Sequence, residues 1–318
     1  MNILITGASG FVGHHLMRKL IEKGHTIHAL TRSPERSKSK IALPVTWFKW
    51  DPLNELPPQE AFKGIDAVIN LIGENIAAKR WSDAQKKRIL ESRTISTQNL
   101  VKAVNQYCPE LKSFVSSSAV GYYQRNIGDQ EIDEKSQAGD GYLADVCKQW
   151  EESTNGLPET VRKVILRIGV VLGREDGALK KLLPIFKLGA GGPIGSGKAW
   201  MSWIHVSDLV DLFTESVENQ NYNGILNAVS PEPCRNTDFT KAIAKGVNRP
   251  AFFPVPPFML KILFGEMASI ILDSQRIYPR QTEALGFKFN YADIYNALED
   301  ICNKGKWESL KKKHLPSN

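Results

Sequence analysis

The chain has 318 residues, 42% of them hydrophobic and 24% charged, an ordinary globular balance with enough length to bury one large core or two linked ones. A formal charge of +7 is spread along the chain, and its one dense run, Lys311 to Lys313, reads as a solvated tail rather than a nucleic-acid arm. Cys108, Cys147, Cys234 and Cys302 form no Cys-x-x-Cys pair and have no neighbouring His at ligand spacing, which speaks against zinc or a disulfide framework and for a reducing cytoplasm.

Residues 3–6 are predicted as a first strand that runs straight into a glycine turn, without a signal peptide before it. A helix over 11–23 ends at Gly24, and strands follow over 26–31, 45–50 and 67–71. A long helix spans 82–107, a fifth strand 113–117, a helix 143–155 and a sixth strand 162–168. This alternation predicts an α/β fold, a Rossmann-type doubly wound parallel sheet with helices on both faces. Beyond Gly173 the texture changes: five glycines crowd residues 189–197 and prolines crowd 250–257. A helix over 204–218 and a strand over 225–229 return to the main domain. The expected division is therefore a dinucleotide domain over 1–172, completed by about 204–230, with a smaller discontinuous substrate lobe over 173–203 and 231–318. A closing helix is predicted over 291–302. The apolar stretch 251–272 is interrupted by Pro254, Pro256, Pro257, Lys261 and Glu266, so it predicts a helix packed on the lobe or at a subunit interface, not a membrane span.

Thr6-Gly7-Ala8-Ser9-Gly10-Phe11-Val12-Gly13 lies between a predicted strand and a predicted helix, the context in which a glycine pattern signals a dinucleotide. Gly7 permits the tight turn, Gly10 lets a pyrophosphate approach the backbone, and Gly13 allows close packing. The helix start, with Phe11 and Val12, offers N–H groups and a dipole to the negative charge. The second strand ends Leu30-Thr31-Arg32-Ser33, with no Asp or Glu for the ribose hydroxyls. Arg32, beside Thr31, suits a 2′-phosphate instead, so the predicted cofactor is NADP(H). Asp51 reads equally as an adenine contact or a turn residue. His205 reads as a helix-start residue, with Ser207 or Asp208 capping, in preference to a catalytic base.

The glycine spacing, Asn70-Leu71-Ile72-Gly73 and Ser116-Ser117-Ser118-Ala119 resemble the extended short-chain dehydrogenase/reductase superfamily. Gly73-Glu74-Asn75-Ile76, Arg80-Trp81, Ser92-Arg93, the 191–197 glycine segment and Trp203-Ile204-His205 narrow the resemblance to its atypical group of SDR39U1 and YfcH-like epimerase family proteins. That group carries a small C-terminal domain of unknown function, here at about 250–302. The resemblance implies cofactor contacts at Leu71, Ile72, Gly73, Arg93, Ile168 and Gly169, with Arg88 a weaker candidate. It also implies Ser118 and Tyr142 in the catalytic Ser and Tyr positions. Four residues after Tyr142, where the superfamily has Lys, stands Val146, and Lys148 at six residues points away from that face. A Tyr without a neighbouring cation is a poor base at neutral pH, so any activity is expected to depend more on Ser118 than on Tyr142.

Two functions remain open from sequence. One is an NADP-dependent oxidoreductase or epimerase acting on an unidentified small molecule, with Ser118, Tyr122 or Tyr142 orienting the reacting oxygen. The other is a catalytically silent NADP(H)-binding module. Tyr122 and Tyr123 read equally as packed aromatics. No metal, nucleic-acid or membrane partner is expected, and a homodimer is possible.

Overall fold

A computed structural model describes residues 1–303, so the Lys311–Lys313 run lies outside the described residues. Seven parallel strands form the central sheet: β1 (Asn2–Thr6), β2 (Thr26–Thr31), β3 (Val45–Lys49), β4 (Ala67–Asn70), β5 (Ser113–Ala119), β6 (Arg162–Ile168) and β7 (Gly224–Ala228). Their spatial order is β7-β6-β5-β4-β1-β2-β3, with the chain reversing direction across the sheet between β3 and β4. In register, Ile3 faces Ile27 on one side and Ala67 on the other.

Strand alternation divides the core into two layers. Ile3 and Ile5 point to one face, where they meet Leu16, Met17 and Leu20 of α1 (Phe11–Glu22), joined there by Leu209 and Phe213 of a later helix. Leu4, Val68 and Phe114 point to the other face, under Leu100, Val101 and Val104 of α3 (Asp83–Tyr107). Between these helices lies the short α2 (Pro34–Lys40), which starts on Pro34 directly after the Arg32 turn. α4 (Tyr142–Glu152) covers β5 on the α3 side, starting after Gly141, whose φ of 89° belongs to the left-handed region.

A second core forms beyond the end of the sheet. Leu179, Leu183 and Phe186 of α5 (Ala178–Lys187) pack with Phe239 and Ile243 of α7 (Asn236–Val247) and with Ile294 and Leu298 of α11 (Ile294–Cys302). Between α5 and α7 the chain returns to the sheet through α6 (Val206–Glu218), the helix that carries Leu209 and Phe213. The 251–272 stretch departs from its predicted single helix. Pro257 starts α8 (Pro257–Phe264), Gly265 at φ 61° ends it, and a 3-10 turn leads into α9 (Ser269–Leu272). None of the α8 side chains is buried, although Pro257 at its start lies against Gly195. α10 (Arg280–Ala284) completes the helices among the described residues. Among the described residues no helix is long and apolar enough to cross a membrane.

Candidate functional site

The glycine turn is as tight as its spacing requires. Gly7 has φ 65°, and a Cβ there would lie 2.7 Å from the Leu71 carbonyl oxygen. At Gly13 a Cβ would lie 2.6 Å from the Gly7 oxygen, so this glycine closes the helix onto the turn itself. Gly10 is the N-cap of α1 and brings no side-chain cap, and the first turn holds no acidic residue. The N–H groups of Phe11, Val12 and Gly13 precede the first helical bond, from His14 N to Gly10 O at 2.9 Å. A twelve-residue helix therefore aims its positive end and several backbone donors outward over the turn. The Phe11 ring lies against Gly173, where a Cβ would come 2.3 Å from its Cζ.

The neighbouring strand ends are held by a buried relay. Thr6 Oγ1 donates to Asn70 Oδ1 at 2.7 Å, and Asn70 Nδ2 donates to Thr97 Oγ1 at 2.9 Å. Leu71 N donates back to Thr6 Oγ1, which fixes where Leu71, Ile72 and Gly73 leave β4. Arg93 lies beneath this loop. Its Nη2 donates to the Glu74 carbonyl at 3.1 Å, and its guanidinium stacks 5.0 Å from the Trp150 ring centroid. Arg88 is exposed. Thr31 Oγ1 accepts from Ser33 N, and Arg32 is exposed at the end of β2. Asp51 accepts from Asn54 Nδ2 and Leu53 N, bonds that hold its carboxyl below its usual range with a smaller contribution from the Arg32 charge. Its side chain thus serves a turn. Gly169 follows β6 at a crowded point, where a Cβ would meet Ser202 O at 2.7 Å.

Ser118 and Tyr142 take separate partners. Ser118 is 2% exposed, and its hydroxyl donates to Glu151 Oε1 at 2.6 Å. Glu151 also receives Arg167 Nε and Nη2, both at 2.8 Å. Arg167 Nη1 donates to the Tyr123 hydroxyl, which donates on to Asn227 Oδ1. The Tyr122 ring covers the guanidinium at 3.3 Å from centroid to Cζ. Burial alone would lower the Arg167 pKa, but the Glu151 and Tyr123 contacts raise it. Burial pushes the Tyr123 hydroxyl up to about 12. Tyr122 and Tyr123 are thus packed around a buried ion pair, and the Ser118 hydroxyl belongs to that pair.

Tyr142 instead lines a cleft of about 800 Å³ walled on one side by the α8–α9 segment, with Trp81, Asn236, Lys261 and Ile271 among its lining residues. Its hydroxyl donates to the Lys86 carbonyl at 2.9 Å. Lys86 Nζ stands 5.5 Å from the ring centroid and pairs with Glu266 in the turn between α8 and α9. A cation does approach Tyr142, then, from α3 and not from its own helix. Burial nevertheless raises the Tyr142 pKa, with the Arg93 charge opposing it. Lys148 turns to Asp145 at 3.4 Å.

His205 caps α6 with its own ring, Nδ1 accepting from Ser207 N at 3.1 Å, so neither Ser207 nor Asp208 is the cap. Asp208 is occupied by the Asn290 and Tyr291 backbone N–H groups. Burial first, and the His15 charge second, push the His205 pKa down to about 3. An unfolded His titrates near about 6.5, so below that pH the unfolded chain binds a proton that the native ring refuses. Stability should fall as pH drops through this window, by at most about 1.4 kcal/mol per pH unit from this group. Urea midpoints from about pH 6.5 to about pH 5 should fall more steeply for the wild type than for His205→Asn, which keeps an N-cap acceptor. Parallel curves would place the dependence elsewhere.

Sequence reasoning did not single out Glu151, Arg167, Lys86 or Glu266. A charged residue in the apolar run Val164-Ile165-Leu166-Arg167-Ile168 was a readable sign of a buried partner. Among the described residues no group of His, Cys, Asp and Glu could hold a metal ion.

Comparison with known proteins agrees with this architecture. Residues 3–228 match the model of the NAD dependent epimerase/dehydratase family, and residues 255–301 match a domain of unknown function, DUF1731. The epimerase family protein SDR39U1 homolog of Arabidopsis thaliana, a chloroplastic protein, is 39% identical over 95% of this chain and 86% of its own. The epimerase family protein YfhF of Bacillus subtilis is 34% identical over 95% of this chain and 98% of its own. A crystal structure of human SDR39U1 (isoform 2) with NADPH superposes with a TM-score of 0.86 at 33% identity, covering 96% of this chain and 100% of that one. With the doubly wound sheet, the glycine turn and both family matches in hand, the chain belongs to the NAD dependent epimerase/dehydratase family, among its SDR39U1-type epimerase family proteins.

Proposed function

We propose that this protein binds NADP(H) across the glycine turn and acts as an oxidoreductase or epimerase-like enzyme on a small molecule held in the Tyr142 cleft. The observation that carries the reading is the uncapped start of α1, closed at Gly13 onto the Gly7–Ala8 turn, with the Leu71 carbonyl against Gly7 in turn. Backbone N–H donors and the positive end of a helix, brought together without side chains in the way, suit a pyrophosphate. The NADPH in the human SDR39U1 crystal structure supports the same choice. Gly7, Gly10, Phe11, Val12 and Gly13 would hold the pyrophosphate, and Thr31 and Arg32 the 2′-phosphate side. Leu71, Ile72 and Gly73 would line the ribose, with Arg93 holding their loop from below and Ile168 and Gly169 flanking the nicotinamide end. When bound, the cofactor supplies hydride transfer.

Within the cleft, Tyr142 is better placed than Ser118 to meet a reacting oxygen, because Tyr142 lines the cleft and would only have to exchange its bond to the Lys86 carbonyl, whereas Ser118 is buried outside the cleft walls with its hydroxyl on Glu151. This reverses the order expected from sequence. The raised pKa of Tyr142 suits a hydroxyl that donates a proton or a hydrogen bond, not one that starts as a phenolate.

The cofactor assignment is tested on Arg32. Removing a charge-assisted partner of the 2′-phosphate should weaken NADPH by about 1.5–3 kcal/mol and leave NADH nearly unchanged. Fluorescence titration of Arg32→Ala with both reduced cofactors reads this directly. Equal NADPH and NADH affinities in the wild type would overturn NADP selectivity.

A further inference from the structure

The cleft beside Tyr142 has a charge balance that describes its ligand. Its volume of about 800 Å³ suits an organic molecule, since such sites usually span about 300–1,000 Å³. Trp81, Leu143, Ile194, Ile271 and Leu272 give it broad apolar walls. Most of its charged groups are already matched. Arg125 pairs with Asp273, which also receives Asn126 Nδ2, and Glu266 pairs with Lys86. Asn236 Oδ1 is taken by the Ile194 N–H at 2.7 Å. Lys261 forms no ion pair among the described residues, and it reaches the cleft from the same α8 face as Pro257, one turn earlier.

We infer that the cleft binds a small molecule with an apolar body and one anionic group, the anion on Lys261 and the body against Trp81 and the Ile271–Leu272 wall. A lysine lays its alkyl stem along apolar surface and keeps its ammonium at the end, the geometry this wall offers. The Arg80 guanidinium lies against Gly265 but is not among the cleft-lining side chains, so a nucleoside diphosphate would bring at least two negative charges to one unpaired lining lysine, and the surplus charge would lose water without a partner. This inference rests on the reading of the cleft as the substrate site, and it narrows the substrate class to apolar carbonyl or hydroxy compounds bearing one anion.

Decanoate is an unreactive probe of that class, decan-1-ol its uncharged control and UDP the competing class. Calorimetric titration of the full chain with NADPH present should show decanoate binding more tightly than UDP. Lys261→Met should weaken decanoate about tenfold, the equivalent of about 1.4 kcal/mol, and leave decan-1-ol unchanged. Ser269→Trp, which fills the cleft, should abolish binding of both chains, whereas Ile262→Ser on the exposed side of α8 should not. Tighter binding of UDP, indifference to Lys261→Met, or loss in Ile262→Ser with retention in Ser269→Trp would each overturn the inference. NADPH affinity is measured on every variant and on the wild type without probe. Its absence from the wild type would defeat the NADP(H) reading, while the decanoate results still decide the ligand class.

Discussion

Replacing Glu151 with Ala should lower stability by about 3–5 kcal/mol, because it strands the Arg167 guanidinium in the interior without its carboxylate. Arg167 is 2% exposed at its side chain and Glu151 11%, so water cannot readily replace the lost bonds. The arginine is also sandwiched by Tyr122 and fixed to Tyr123, which denies it a route to solvent. Ser118→Ala removes one hydroxyl donor from the same carboxylate and should cost nearer about 1 kcal/mol. Chemical denaturation of the three proteins supplies the comparison. A double variant, Glu151→Leu with Arg167→Met, should recover much of the loss, since an ion pair of this kind can be replaced by apolar groups of similar size. A loss below about 1 kcal/mol for Glu151→Ala would mean that the pair is hydrated or dispensable.

Gly7→Ala should abolish measurable NADPH binding. Holding a non-glycine residue at φ 65° costs about 1–3 kcal/mol, and the new methyl would meet the Leu71 carbonyl at 2.7 Å. Overpacking of this sort costs about 1–3 kcal/mol more, and it is relieved by moving the two loops that form the phosphate turn apart. Gly24→Ala separates the two effects. Gly24 has φ 83° but open space around its Cβ position, so that variant should lose stability while keeping its NADPH affinity. Circular dichroism melts and NADPH fluorescence on both variants test the distinction. Retained NADPH binding in Gly7→Ala would show that the turn does not form the cofactor cradle.

Much of the frame was legible because it depends on local pattern. The bounds predicted for the 26–31 and 162–168 strands coincide with β2 and β6, whose apolar runs are closed by turn residues. The glycine turn was legible for the same reason, since its spacing is local and the Gly13 contact with Gly7 and Ala8 acts within it, although the Gly7 contact with Leu71 does not. The cleft was not, because its members meet only through tertiary packing: Lys86 pairs with Glu266 and Arg125 with Asp273 across long stretches of sequence. Ser118 shows the limit most clearly. The resemblance implied a reacting hydroxyl at Ser118, and only the position of Glu151 on α4 reveals that the hydroxyl is occupied. The 251–272 stretch failed differently. Its apolar content suggested one helix against the lobe or a subunit interface, but Pro256, Pro257 and Gly265 divide it into α8, a 3-10 turn and α9.

The position of β7 has a consequence for how the molecule is made. Its partner β6 is complete at Ile168, yet β7 begins only at Gly224, after the α5 segment and α6 have been inserted between them. During synthesis from the N-terminus, more than fifty residues must therefore emerge while β6 offers the backbone edge that β7 will later occupy. That edge carries Val164, Ile165 and Leu166, an apolar parallel template of the kind that captures other chains. It also carries Arg167, a charged group within an otherwise adhesive strand. When β7 arrives, Asn227 takes the Tyr123 hydroxyl and closes the interior around the Arg167–Glu151 pair, so the last strand of the sheet also seals its buried charge.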